Sequence, residues 1–138
     1  MNAAMDDEQR ARFAGLADVL IPEAEGMPSA SKAEVASHWI DVALSFRPDL
    51  RAAFLEALEY AGDRATPVTD LSQDHPAAFE ALGTLTAGAY FLNPDVRALV
   101  GYPGQTIADF TDEVPLYAEL LEHVDDRGFI YRPTPAPR

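Results

Sequence analysis

The chain has 138 residues, 48% hydrophobic and 24% charged, which suits one soluble domain built on a single core. It contains no cysteine, which excludes disulfides, thiol nucleophiles, iron–sulfur ligation and thiolate zinc sites. Ten Lys and Arg residues stand against 23 Asp and Glu, a formal charge of -13 that repels a phosphate backbone, so no nucleic-acid partner is expected.

Apolar residues recur at helical spacing nearly throughout, with proline and glycine at the joints and no alternating run long enough for a strand. The expected class is therefore all-α: a compact bundle of about five to six helices over residues 1–128, followed by an extended proline-rich tail over 129–138. Asp6 or Asp7 caps a first helix whose buried stripe is Phe13, Leu16, Ala17 and Leu20, and Pro22 ends it. Ser31 and Glu34 match a capping box, so a second helix is expected from there, carrying Val35, Trp39, Val42, Ala43 and Phe46 and stopping before Pro48. Trp39 is read as core because it lies on that stripe.

Pro48 suits the first turn of a third helix with Leu50, Phe54, Ala57, Leu58 and Ala61 inward and Gly62 at its end. Asp63 to His75 is expected as loop. Pro76 opens a fourth helix through Phe79, Leu82, Leu85 and Thr86 to Phe91, and its small residues Gly83, Thr84, Ala87, Gly88 and Ala89 suggest a surface that another element approaches closely. Asn93 caps a short helix from Pro94 to Val100, and Gly101-Tyr102-Pro103-Gly104-Gln105 is the densest turn signal in the chain. A last helix spans about Pro115 to Val124 with Leu116, Leu120, Leu121 and Val124.

No stretch approaches the ~20 apolar residues of a membrane span. Residues Met1 to Arg12 are polar and acidic where a secretory signal is basic and then apolar, so the chain reads as lacking an export address of its own. His38, His75 and His123 fall on different elements without metal-ligand spacing, and each is read as structural or solvent-facing. There is no G-x-S-x-G elbow, and Lys32 is the sole lysine. Acidic pairs such as Asp6-Asp7, Asp112-Glu113 and Asp125-Asp126 lack the spacing of a calcium loop and read as solvated caps. The Gly101–Gln105 turn lacks the G-K-[ST] ending of a phosphate loop; it either reverses the chain or offers Tyr102 and Gln105 to a partner.

Leu20-Ile21-Pro22, Pro28-Ser29-Ala30, Arg47-Pro48-Asp49-Leu50, then Leu85-Thr86 through Tyr90 and Pro94 to Gly101-Tyr102-Pro103-Gly104-Gln105 follow one another in an order that resembles the gluconate 2-dehydrogenase subunit 3 family. The resemblance runs from Phe13 to about Pro133, and its most specific piece is the Gly-Tyr-Pro-Gly-Gln turn behind a small-residue helix. It implies a non-catalytic helical subunit that binds a large flavoprotein of the glucose–methanol–choline oxidoreductase type and supports its folding, stability or export. FAD then belongs to the partner chain, and no cofactor is expected on this one. Members often begin with a twin-arginine export signal, whereas this sequence opens Met1-Asn2-Ala3-Ala4-Met5-Asp6. The expectation is a cytoplasmic complex, or a periplasmic one carried out with the partner.

Aromatic enrichment at interfaces nominates Tyr90, Phe91, Tyr102, Pro103, Gly104, Gln105, Phe129 and Tyr131 as the partner-binding residues. The rival readings are a stand-alone helical enzyme or ligand-binding protein with its pocket near His38 and Trp39, and a homo-oligomer paired through the small-residue helix.

Overall fold

The computed structural model describes residues 5–62, 64, 67–107, 113–128 and 130, with backbone alone for 116, 119 and 120. Among them are seven α-helices and no strand, an all-α architecture. The chain forms two compact units, Met1–Gly104 and Gln105–Arg138.

In the first unit, α1 (Asp7–Leu20) begins at a capping box: the Asp6 carboxylate accepts from the Gln9 N–H at 2.7 Å, and the Gln9 side chain accepts from the Asp6 N–H at 3.1 Å. Its inward residues Phe13, Leu16 and Ala17 are buried, and Phe13 meets Phe54 edge to face at 5.0 Å. Past Ile21 the chain reverses through Glu25 and Gly26, both at positive φ.

The second helix does not start at Ser31. The Ser31 N–H donates to the Asp18 carboxylate at 2.8 Å, the Ala30 N–H donates to the Ile21 carbonyl, and Glu34 adopts the left-handed conformation. Asp18 of α1 thus takes the Ser31 N–H that a capping box would give to Glu34, and the Glu34 N–H turns to the Ser31 carbonyl. One π-helical turn (Val35–Trp39) intervenes before α2 (Ile40–Phe46), and Arg10 clamps this segment to α1 through the Ala36 carbonyl at 2.9 Å and the Asp41 carboxylate at 2.8 Å. Trp39 is half-buried against the core rather than fully enclosed, while Phe46 is 70% exposed.

Pro48 opens a 3₁₀ turn (Pro48–Leu50) that runs into α3 (Arg51–Ala61), which Gly62 ends at positive φ. The expected loop at 63–75 holds a further helix, α4 (Pro67–Asp74). Its Leu71 is fully buried and Val68 packs on the core, so an eight-residue helix too short to persist alone is held by packing.

The central element is α5 (Pro76–Leu92), which packs against α2, α3, α4 and α6. It buries Ala78, Ala81, Leu82, Leu85, Thr86, Ala89 and Tyr90. The glycines of α5 face open space: a Cβ at Gly83 or Gly88 would meet nothing within 4 Å. The close approach expected at those two positions is therefore absent among the described residues. A short helix, α6 (Pro94–Leu99), completes the unit, anchored by buried Val96. The second unit contains α7 (Val114–Arg127), on which Val114, Tyr117, Leu121 and Val124 are exposed. The expected tail falls outside the described residues except for Ile130, which is exposed.

Candidate partner-binding site

The α5–α6 junction builds the site. Asn93 is 7% exposed. Its side-chain oxygen caps α6 by accepting from the Asp95 N–H at 2.8 Å, and its amide nitrogen donates to the Ala33 carbonyl at 3.0 Å. One side chain therefore starts α6 and ties it to the segment before α2, sixty residues back in sequence.

The end of α6 is equally determined. Gly101 sits at φ 71°, its N–H donates to the Ala98 carbonyl at 3.1 Å, and the Tyr102 N–H donates to the Arg97 carbonyl at 2.9 Å. These two bonds form a Schellman motif, which needs a left-handed residue and so selects glycine. Gly104 also has positive φ, but residues 102–104 carry no turn hydrogen bond or bend among the described residues, and the chain bends next at Gln105. The Schellman turn leaves Tyr102 54% exposed, with exposed Pro103 beside it.

Under the turn lies an open cleft of about 410 Å³ lined by Pro94, Arg97, Ala98, Gly101, Tyr102, Pro103 and Gly104. Arg97 is half-buried, and its Nε is shielded from solvent without a hydrogen-bond acceptor among the described residues. A second depression of about 240 Å³ lies between α2 and α5, lined by Ala43, Phe46, Arg47, Thr84, Leu85, Gly88 and Leu92. Its lining is nearly all apolar, and the exposed face of α5 beside it carries Thr84, Ala87, Gly88 and Phe91, with Phe91 51% exposed. Exposed Glu80 stands at the start of the same face, so the stretch without charge is the half of α5 from Thr84 to Phe91.

The nominated residues divide. Tyr102, Pro103 and Gly104 surround one cleft, and Phe91 is exposed on α5 without lining it. Gln105 is exposed and begins the second unit. Tyr90 is corrected to core: it is 3% exposed and donates its hydroxyl to the Pro28 carbonyl at 2.7 Å. Burial pushes that phenol's pKa up, which keeps it a hydrogen-bond donor. It stands four residues after buried Thr86 and eight after buried Leu82, on the inward side of α5, whereas its neighbour Phe91 is exposed. Phe129 and Tyr131 lie outside the described residues.

Arg97 was not singled out by the sequence, where a basic residue in the last turn of a helix reads as a partner for the helix dipole. The histidines stand apart: His38 is exposed against the Trp39 ring at 4.7 Å, His75 pairs with Glu56 at 2.8 Å, and His123 is exposed on α7. No group of three or more His, Asp or Glu side chains is arranged to hold a metal among the described residues. Four cavities lined by described residues include neither His38 nor Trp39, although the Trp39 indole N–H is buried without an acceptor among the described residues. No described helix is long and apolar enough to cross a membrane.

No protein-family model, curated protein or solved structure matches this chain.

Proposed function

We propose that this chain is a non-catalytic accessory subunit that binds an FAD-dependent sugar or polyol oxidoreductase and supports its folding, stability or export. The observation that carries the reading is the uncovered apolar surface of the first unit. Phe46, Phe91, Leu99, Val100 and Tyr102 are each half or more exposed, on a chain otherwise rich in carboxylates. The Gly101–Gln105 turn and its ordering behind α5 are the features by which the sequence resembles the gluconate 2-dehydrogenase subunit 3 family. Covering exposed aromatics with a partner removes apolar area from water at roughly 25 cal/mol per Å², the main driving force available to such a complex. FAD and the chemistry reside on the partner in this reading, and the assembly is a hetero-oligomer.

The test is co-expression of the tagged chain with the flavoprotein encoded beside it, followed by pull-down and an absorbance spectrum. A yellow complex whose dehydrogenase activity disappears when this chain is omitted supports the reading. A colourless, well-behaved monomer refutes it and favours a ligand-binding domain instead.

A further inference from the structure

Among the Lys and Arg residues of the first unit, Arg10 pairs with Asp41, Arg12 with Glu8, Lys32 with Glu23 and Arg47 with Asp49. Arg64 donates to the Tyr60 carbonyl and lies over its ring. Arg97 has no such engagement among the described residues, in a chain with 23 acidic side chains. Its main-chain groups are spent on the helix, the N–H on the Asn93 carbonyl and the carbonyl on Tyr102, so only the guanidinium is left over. Arg97 borders a cleft whose lining includes Pro94, Tyr102 and Pro103. The cleft is open and its lining mixed, so the cation is partly solvated as it stands, and its pairing gains strength only when a partner covers it.

We propose that Arg97 is the anchor for an aspartate or glutamate side chain of the partner flavoprotein, received in the cleft under the Tyr102–Gly104 segment. The inference rests on the accessory-subunit reading and names the chemistry of its contact. A carboxylate matches the planar fork of the guanidinium, whose paired N–H donors can meet its two oxygens. Tyr102 and Pro103 then cover the aliphatic part of the incoming side chain and exclude water from the pair. The Schellman turn holds these walls in place before binding, so little ordering is required of them.

The experiment measures affinity for the co-expressed flavoprotein by calorimetry, at low and high salt, for the parent chain, Arg97→Gln and Arg97→Lys. Glutamine is expected to weaken binding by about tenfold or more, with the loss shrinking at high salt and the melting of the isolated chain unchanged. Lysine keeps charge and stem but not the fork, and is expected to recover only part of the affinity. If Arg97→Gln fails to fold, the lysine variant carries the test by itself. Affinities equal to the parent's overturn the anchor and leave the accessory role standing. A parent chain that captures no flavoprotein refutes the accessory role, and the anchor with it.

Discussion

Replacing Asn93 with alanine removes two things at once, and their sizes can be set from the geometry. The cap on α6 is lost when the Asp95 N–H no longer has its 2.8 Å acceptor, which costs about 1 kcal/mol. The Ala33 carbonyl, on a residue 2% exposed, loses its 3.0 Å donor and is stranded away from water, which costs about 1–3 kcal/mol more. The expected total is about 2–4 kcal/mol, a melting-temperature drop of roughly 10 °C or more for a unit of this size. Typical domain stabilities of about 5–15 kcal/mol leave the variant folded and measurable. Urea unfolding followed by far-ultraviolet circular dichroism gives the number, provided the slope against urea matches the parent's. Asn93→Ser separates the two contributions, because serine caps well but is too short to reach Ala33; it should fall between the parent and the alanine variant. A loss for Asn93→Ala within about 0.5 kcal/mol of zero would refute the idea that this side chain ties the site to the segment before α2.

Tyr102→Ala combined with Gln105→Ala should lower the yield of the flavoprotein complex while leaving helical dichroism and melting unchanged, because both side chains are exposed; a large loss of monomer stability would show the turn to be structural. Gly88→Ala should stabilise the isolated chain by about 0.5–1 kcal/mol, since the added methyl meets nothing within 4 Å and the helix gains propensity. Destabilisation in a thermal melt would contradict that open face. Asp18 has its pKa lowered: burial works to raise it, but the backbone N–H and side chain of Ser31 and the side chain of Ser29 outweigh that by hydrogen bonding its charged form. A depressed folded-state pKa contributes stability above the ordinary 3.8 that is lost as pH falls through the lowered value. Asp18→Asn should therefore be less stable than the parent at neutral pH, with the gap closing in acid; a gap that stays constant with pH would exclude the carboxylate as its source.

Legibility varied along the chain with the range of the interactions involved. Pro48 at a helix start, Gly62 at a helix end and Asn93 before Pro94 were readable because each acts through its own dihedral or through a hydrogen bond two residues away. The capping-box pattern at Ser31 and Glu34 misled because Asp18, thirteen residues earlier, takes the Ser31 N–H. Asp6 and Gln9 formed the box instead, with no long-range competitor for their groups. Helix α4 was illegible for the reverse reason: its composition reads as loop, and the burial of Leu71 holds it.

At the site, the reversal at Gly101 was visible in the sequence because glycine admits the positive φ that ends a helix. Tyr90 and Phe91, adjacent and both aromatic, could not be told apart there; only the packing of α5 against its neighbours sent one inward to Pro28 and left the other outside. Arg97 was likewise invisible, since whether a cation finds a carboxylate depends on which side chains the fold brings within reach. By itself the sequence determined an all-α chain, the positions of its proline and glycine joints, and a displayed turn, all consequences of forces acting over a few residues. Tertiary structure alone decided which aromatic is core, where the second helix begins and which arginine goes unpaired, because those outcomes depend on groups that lie far apart in the chain and meet only when it is folded.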